Sequence, residues 1–229
     1  MKLSILVPIY NEKKTIIDLL ELVGNVELDK EIVLVDDCSK DGTRELLEKT
    51  FGNGKGEIRV FYHDKNRGKG AAIRTALSHA TGDYVIVQDA DLEYSPHDMV
   101  SMAQTAEKTA SGAVYGSRFL KTWKSTSFPH YLINSFLTLL TNILFGGHLS
   151  DMETCYKMVR TDIMRSLDIK ASRFEFEPEV SAKLLMKGIK IVEIPVSYRG
   201  RSYDEGKKIG WHDGVEAMVT LLRIKFKRY

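Results

Sequence analysis

An α/β fold built on a central, mostly parallel sheet is what this sequence predicts, on two observations. Short apolar runs alternate with helical patterns through the first hundred residues, the signature of strand–helix–strand units. Two of those runs also end in clustered carboxylates, which parallel topology would bring to the same sheet edge, where ligands bind in such folds.

Each element can be justified in order. Leu3–Pro8 is a buried-type strand, and Lys13–Val23 carries a helical stripe through Ile16, Leu19, Leu20 and Val23. Glu31–Asp36 is a second strand, Gly42–Thr50 a helix, Ile58–Tyr62 a third strand. Gly68–Ala80 is a helix with small residues on one face, and Tyr84–Gln88 a fourth strand. The pattern then loosens. A helix near Pro96–Lys108 leads to a strand at Ala113–Gly116, an amphipathic stretch at 130–145 and a strand near Tyr156–Val159. A helix at Glu177–Lys187, a strand at Lys190–Val196, a charged loop (199–210) and a last helix (212–226) complete the chain. No Pro/Gly/Ser-rich linker interrupts it, so residues 1–229 read as one domain with two halves, 1–100 and 101–229.

Charge divides along the same line. Residues 1–100 carry 13 Lys+Arg against 18 Asp+Glu, and residues 101–229 carry 20 against 13. The front half suits a metal cation; the back half suits phosphates or an anionic membrane surface. Two cysteines make neither a disulfide framework nor a metal site, which predicts a reducing cytoplasm. The amino terminus turns polar too soon for a signal peptide and reads as a first strand.

The chemistry concentrates at the strand ends. Asp36 and Asp37 close the second strand; Asp89, Asp91 and Glu93 follow the fourth. Converging carboxylates repel unless a cation or hydrogen-bond donors balance them. If the chain stays extended, D-x-D-x-E aims three hard oxygens one way, a set suited to Mg²⁺ or Mn²⁺ holding a pyrophosphate. The missing glycine and downstream glutamate of an EF-hand loop argue against a calcium loop. Asn66–Gly70 lacks the spacing of a phosphate-cradling loop, so its glycines serve a tight turn and close helix packing. No GxGxxG follows the first strand, which argues against a dinucleotide oxidoreductase, and no nucleic-acid motif joins the basic residues.

PIYNE (8–12), VDDCSKDGT (35–43), NRGKGAA (66–72), QDADLE (88–93) and GSR (116–118), in this order, resemble glycosyltransferase family 2. DMETCYK (151–157), FEFEPE (174–179) and YRGRSYDEGKKIGW (198–211) resemble its dolichyl-phosphate mannose synthase and polyprenyl-phosphate branch. The resemblance implies a GT-A (Rossmann-like) fold and an inverting hexose transfer from a nucleoside-diphosphate sugar. It implies that Pro8, Tyr10, Glu12 and Asp37 line the base and ribose pocket, and that Asp89, Ala90, Asp91 and Glu93 hold metal and diphosphate. It also makes Arg201, with Lys207 or Lys208, a basic loop closing on the diphosphate, as suits a lid.

For the acceptor, Arg118 offers a guanidinium suited to a phosphate, with His130 and Asn134 nearby in sequence. On a helical wheel Leu132, Ile133, Phe136, Leu137, Leu140, Ile143 and Leu144 share one arc, and Asn134, Ser135, Thr138, Thr141 and Asn142 the other. The uncharged part of the stretch, Leu132–Phe145, rises roughly 21 Å, short of the ~30 Å hydrocarbon core, so it lies in a membrane interface or packs on the core. The resemblance favours the interface, a polyprenyl phosphate acceptor and a peripheral position on the cytoplasmic face of a membrane, with or without a membrane-protein partner. The basic RIKFKRY end (223–229) suits anionic headgroups. A phosphate acceptor is already ionised and needs no base. The alternatives are a sugar-hydroxyl acceptor, with Asp151 as general base, or a non-catalytic nucleotide-binding protein.

Overall fold

The computed structural model describes residues 1–120, 127–200 and 211–226. Within them the chain runs β1 (Leu3–Ile9), α1 (Ile16–Gly24), β2 (Lys30–Asp36), α2 (Thr43–Phe51), β3 (Gly54–Lys55), β4 (Ile58–Tyr62), α3 (Lys69–His79) and β5 (Tyr84–Val87). It continues as α4 (Asp98–Thr109), β6 (Ala113–Ser117), α5 (Phe128–Phe145), β7 (Lys157–Arg160), α6 (Thr161–Ser166), α7 (Phe176–Met186), β8 (Ile191–Pro195) and α8 (Trp211–Lys225).

The described strands form one sheet in the order β3-β4-β2-β1-β5-β7-β6-β8. β4, β2, β1 and β5 are mutually parallel, and β7 runs antiparallel between β5 and β6. The chain leaves β1 towards β2 and β4, then returns to place β5 on the other side of β1. That reversal is a topological switch point, where a crevice opens outside the carboxyl ends of the strands.

β1 and β2 are almost wholly buried on both faces and β5 largely so, which is why they read as continuous apolar runs, whereas β4 is only partly covered. The α1 stripe of Ile16, Leu19, Leu20 and Val23 is buried as predicted. The helix starts at Ile16 rather than Lys13 because Asn11 takes a left-handed φ of 54° and the Lys13 amide donates to Asp41 Oδ2 at 3.2 Å. In α3 the small face of Gly70, Ala71, Ala72 and Ala76 lets the helix pack closely on β1 and β2.

The second half departs from prediction in one element and decides between the two readings of another. Six-residue α6 is too short to show a helical period, and it was not foreseen. More consequentially, α5 turns its polar arc inward. Asn134, Thr138 and Thr141 are buried, whereas Phe136 is 56% and Ile143 71% exposed. The buried polar groups have partners: the Thr138 hydroxyl accepts the Met152 amide at 3.0 Å, and the Asn142 side chain exchanges two 2.8 Å bonds with the Leu149 backbone. The reading of α5 as a helix with its apolar arc on the core is thus overturned; only Leu137 of that arc is buried, with Leu140 and Leu144 partly so. α8 packs beside it, and Lys225 donates to the Leu144 carbonyl at 2.5 Å, a cation on a helix carboxyl end. No helix among the described residues is long and apolar enough to cross a membrane.

Candidate active site at the strand switch point

The crevice predicted by the strand order exists as a cleft of about 380 Å³. Pro8, Ile9, Tyr10 and Glu12 line it from the end of β1, and Asp37 from the end of β2. Asp89, Ala90, Asp91 and Glu93 line it from the end of β5. Asn66, Gly68, Lys69 and Ala72 come from the start of α3, joined by Arg173, Phe174 and Tyr198. Every residue assigned from sequence to the base, ribose and diphosphate region within the described chain therefore meets in one place. Arg201, Lys207 and Lys208 lie outside the described residues.

The two acidic clusters are balanced differently. Asp36 is fully buried; it accepts Arg44 Nε at 2.8 Å and the Ser39 amide at 3.3 Å. Asp37 accepts the Arg67 amide at 2.9 Å, the Gly68 amide at 2.7 Å and His63 Nδ1 at 2.7 Å. Hydrogen-bond donors of the protein, the Arg44 guanidinium among them, offset this pair. The NRGKG turn thus has a second task beside packing: its amides cradle a protein carboxylate. Gly68 is required there, since its φ is +91° and a Cβ would sit 2.3 Å from the Ser172 carbonyl oxygen.

At the end of β5, Lys69 Nζ lies 2.9 Å from Asp89 and 2.8 Å from Glu177. Burial works against its ammonium, but the two carboxylates outweigh burial and raise its pKa, so Lys69 is a fixed cation. Sequence reasoning missed it by treating NRGKG as a turn alone. The Thr15 hydroxyl donates to the Ala90 carbonyl at 2.6 Å and lies 3.0 Å from Glu12 Oε2, tying the β1 and β5 ends together.

The expected alignment of Asp89, Asp91 and Glu93 as three metal ligands is not found. Leu92 adopts a left-handed φ of 61°, so the chain turns instead of staying extended. Asp89 faces Lys69, Asp91 Oδ1 accepts the Glu93 amide at 3.2 Å, and Glu93 Oε2 accepts the Tyr198 hydroxyl at 2.7 Å. Among the described residues no group of three His, Cys, Asp or Glu side chains is arranged as a metal cage. The donor set still suits Mg²⁺ or Mn²⁺ in another mode, in which one or two carboxylates share the ion with substrate phosphates and water.

Beyond β6 the acceptor-side residues form one buried unit. Arg118 Nε and Nη2 each meet an Asp151 oxygen at 2.7 Å, and the Arg118 amide adds a 3.0 Å bond. Asn134 Nδ2 donates to the same carboxylate at 3.1 Å. Burial alone would raise the Asp151 pKa, but Arg118 outweighs it and the pKa is lowered. The rings of Tyr198 and Phe119 lie 5.1 and 5.2 Å from the guanidinium. His130 lies at the start of α5, where its Nδ1 bonds to Ser127 Oγ at 2.6 Å. Sequence reasoning also missed Glu177, which no spacing ties to Lys69, 108 residues away.

The family model for glycosyl transferase family 2 matches residues 4–168, well over half of the chain. A dolichol-phosphate mannosyltransferase of Pyrococcus furiosus is 29% identical over 91% of this chain and 61% of its own length. An undecaprenyl-phosphate 4-deoxy-4-formamido-L-arabinose transferase of Proteus mirabilis is 27% identical over 90% of this chain and 62% of its own length. The chain thus spans under two thirds of both transferases. An uncharacterised protein of Methanocaldococcus jannaschii is 27% identical over 96% of this chain and 93% of its own. Among solved structures, glucosyl-3-phosphoglycerate synthase of Mycobacterium tuberculosis, with Mn²⁺, UDP and phosphoglyceric acid, superposes with a TM-score of 0.71 at 19% identity, covering 98% of this chain and 78% of that one. TarS of S. aureus with UDP-GlcNAc gives 0.65 at 22% identity, covering 98% and 66%. These likenesses establish the GT-A-type architecture. The family match over residues 4–168 shows that the chain belongs to glycosyl transferase family 2.

Proposed function

We propose that this inverting glycosyltransferase passes its sugar to an acceptor hydroxyl, using Mg²⁺ or Mn²⁺ at the donor diphosphate. The observation that carries the acceptor reading is the Arg118–Asp151 pair. A phosphate acceptor needs a cation to receive it, and Arg118, the guanidinium that follows β6, already holds a buried carboxylate at 2.7 Å on two bonds. An arriving phosphate would meet Asp151 as a like charge. The solved relative that holds phosphoglyceric acid beside UDP supports the same reading.

In this mechanism Pro8, Tyr10, Glu12 and Asp37 receive the nucleoside, and Asp89, Asp91 and Glu93 border the diphosphate. Asp89 and Asp91 are the residues that would hold the cation, which supplies charge to the leaving diphosphate when bound. Lys69 sets the position of Asp89 and adds a fixed positive charge beside the leaving group. The acceptor oxygen then attacks the anomeric carbon from the side opposite the diphosphate, and a base takes its proton. Arg201 and Lys207 or Lys208 are proposed to close on the diphosphate.

A second reading, transfer to a polyprenyl phosphate, is favoured by one specific observation: the outward apolar arc of α5, with Phe136 and Ile143 exposed. The Pyrococcus and Proteus relatives are named for lipid phosphates. In this reading the arc meets a membrane surface or a membrane partner, and Arg118, His130 and Asn134 face the acceptor.

The test is an acceptor comparison. UDP-glucose, UDP-GlcNAc and GDP-mannose are each supplied with Mn²⁺ or EDTA, against 3-phosphoglycerate, simple sugars and water on one side and undecaprenyl phosphate on the other. Product on hydroxyls supports the proposal; product on undecaprenyl phosphate alone overturns it.

A further inference from the structure

We propose that Glu153 is the general base that takes the acceptor proton, an inference that rests on the hydroxyl-acceptor reading above. Topology brings it to the right edge. β7 runs antiparallel to β5, with Val159 opposite Val85, and the Tyr156 carbonyl accepts the Gly116 amide at 2.8 Å. The residues just before β7 therefore stand between the end of β5, which carries Asp89, and the end of β6, which leads to Arg118.

The turn that bears Glu153 is clamped on both sides. The fully buried Lys157 ammonium donates to the Met152 carbonyl at 2.7 Å and to the Thr154 carbonyl. The Thr154 hydroxyl donates to the Gly116 carbonyl at 2.6 Å. Glu153 itself is only partly covered, and its Oε1 is buried with no hydrogen-bond partner among the described residues. Asn134 Oδ1, on the Arg118–Asp151 unit, is a second buried oxygen without a donor. Two acceptors lacking donors around one cluster suit a ligand that brings an O–H.

Three other acids of this region are committed. Asp151 serves Arg118, and Asp89 and Glu177 serve Lys69. The charges acting on Glu153 come from each neighbouring element: Glu177 on α7, Lys157 on β7, Arg118 beyond β6, and Asp151 on its own turn. Burial, aided by the Glu177 carboxylate, pushes the Glu153 carboxyl up to about 7, where a base is best matched to neutral pH. In the step, the acceptor O–H proton passes to the Glu153 carboxylate as the oxygen bonds to the anomeric carbon. The bond from that carbon to the diphosphate oxygen breaks, and its electron pair leaves with the nucleoside diphosphate.

The experiment compares wild type, E153Q and E153D in the full chain for transfer to hydroxyls, water included, from about pH 5.5 to 9. UDP and GDP binding is measured by calorimetry alongside. The proposal predicts that E153Q loses at least ~100-fold in kcat, keeps nucleotide affinity, and loses the acid limb near pH 7, while E153D recovers part of the rate. An E153Q within about fivefold of wild type, with the limb intact, overturns the assignment and leaves the hydroxyl reading standing. Loss of nucleotide binding in both variants makes Glu153 structural and overturns it too. Wild-type transfer to undecaprenyl phosphate alone removes the hydroxyl reading and the base together.

Discussion

Replacing Asp151 with asparagine should destabilise the fold by about 3–5 kcal/mol, the cost of removing one partner from a buried ion pair. Asp151 is fully buried and the Arg118 side chain is 13% exposed. The carboxylate accepts two guanidinium bonds at 2.7 Å, the Arg118 amide at 3.0 Å and Asn134 at 3.1 Å. An amide keeps the shape but leaves the guanidinium unpaired among aromatic rings. Because Arg118 retains a little access to water, the lower end, ~3 kcal/mol, is the better figure. At roughly 2–4 °C per kcal/mol for a domain of this size, Tm should fall by roughly 6–12 °C near neutral pH. The pH dependence follows from the lowered Asp151 pKa. Stability from the pair is present above the ordinary carboxyl value of 3.8 and is lost as pH falls through the lower folded value. The gap between wild type and variant must therefore close in acid. Thermal melts followed by circular dichroism at neutral and acid pH measure both. A loss below ~1 kcal/mol at neutral pH would place the pair with exposed salt bridges and refute the reasoning. Since the two residues act as one unit, Arg118→Ala and Asp151→Asn should damage activity alike, and their comparison does not sort phosphate from hydroxyl acceptors.

Three further outcomes follow from the same geometry. Lys69→Met leaves Asp89 and Glu177 without their shared cation, and kcat for donor turnover should fall by ~100-fold or more in steady-state assays. Phe136→Ser combined with Ile143→Ser should change urea stability by less than ~0.5 kcal/mol, because both side chains are outward; a pronounced loss of binding to vesicles carrying undecaprenyl phosphate would favour the lipid reading. Glu153→Gln should raise stability above wild type at neutral pH by on the order of 1–3 kcal/mol. The Glu153 carboxyl is raised from its ordinary 4.5 to about 7, so the fold holds that proton more tightly than the unfolded chain. Ionising it costs the wild type stability as pH climbs through that interval, and the Tm advantage of the variant should grow there.

Much of the nucleotide half was legible in the sequence because its signals are local. Strands buried on both faces read as apolar runs, and acids at their ends mark the sheet edge whatever the helices do. The stripe on α1 and the small face of α3 survive for the same reason. What was not legible depends on distance or on a single backbone angle. The left-handed turn at Leu92 breaks the D-x-D-x-E alternation, and leucine gives no warning of it. The links from Arg118 to Asp151 and from Lys69 to Glu177 join residues 33 and 108 positions apart. The wheel of α5 found its two arcs but not which one faces inward. That choice was made by Asp151, Met152 and Leu149, whose polar groups meet Asn134, Thr138 and Asn142.

The central claim is that the cleft at the strand switch point binds a nucleoside-diphosphate sugar and transfers its sugar with inversion. The most direct measurement is NMR of the product formed from UDP-glucose, UDP-GlcNAc or GDP-mannose with Mn²⁺ and hydroxyl acceptors, in wild type and Asp91→Asn. One donor should be turned over to a product of inverted anomeric configuration, with turnover abolished by EDTA and severely reduced in Asp91→Asn. A product of retained configuration, or turnover indifferent to both EDTA and Asp91, would contradict the central claim.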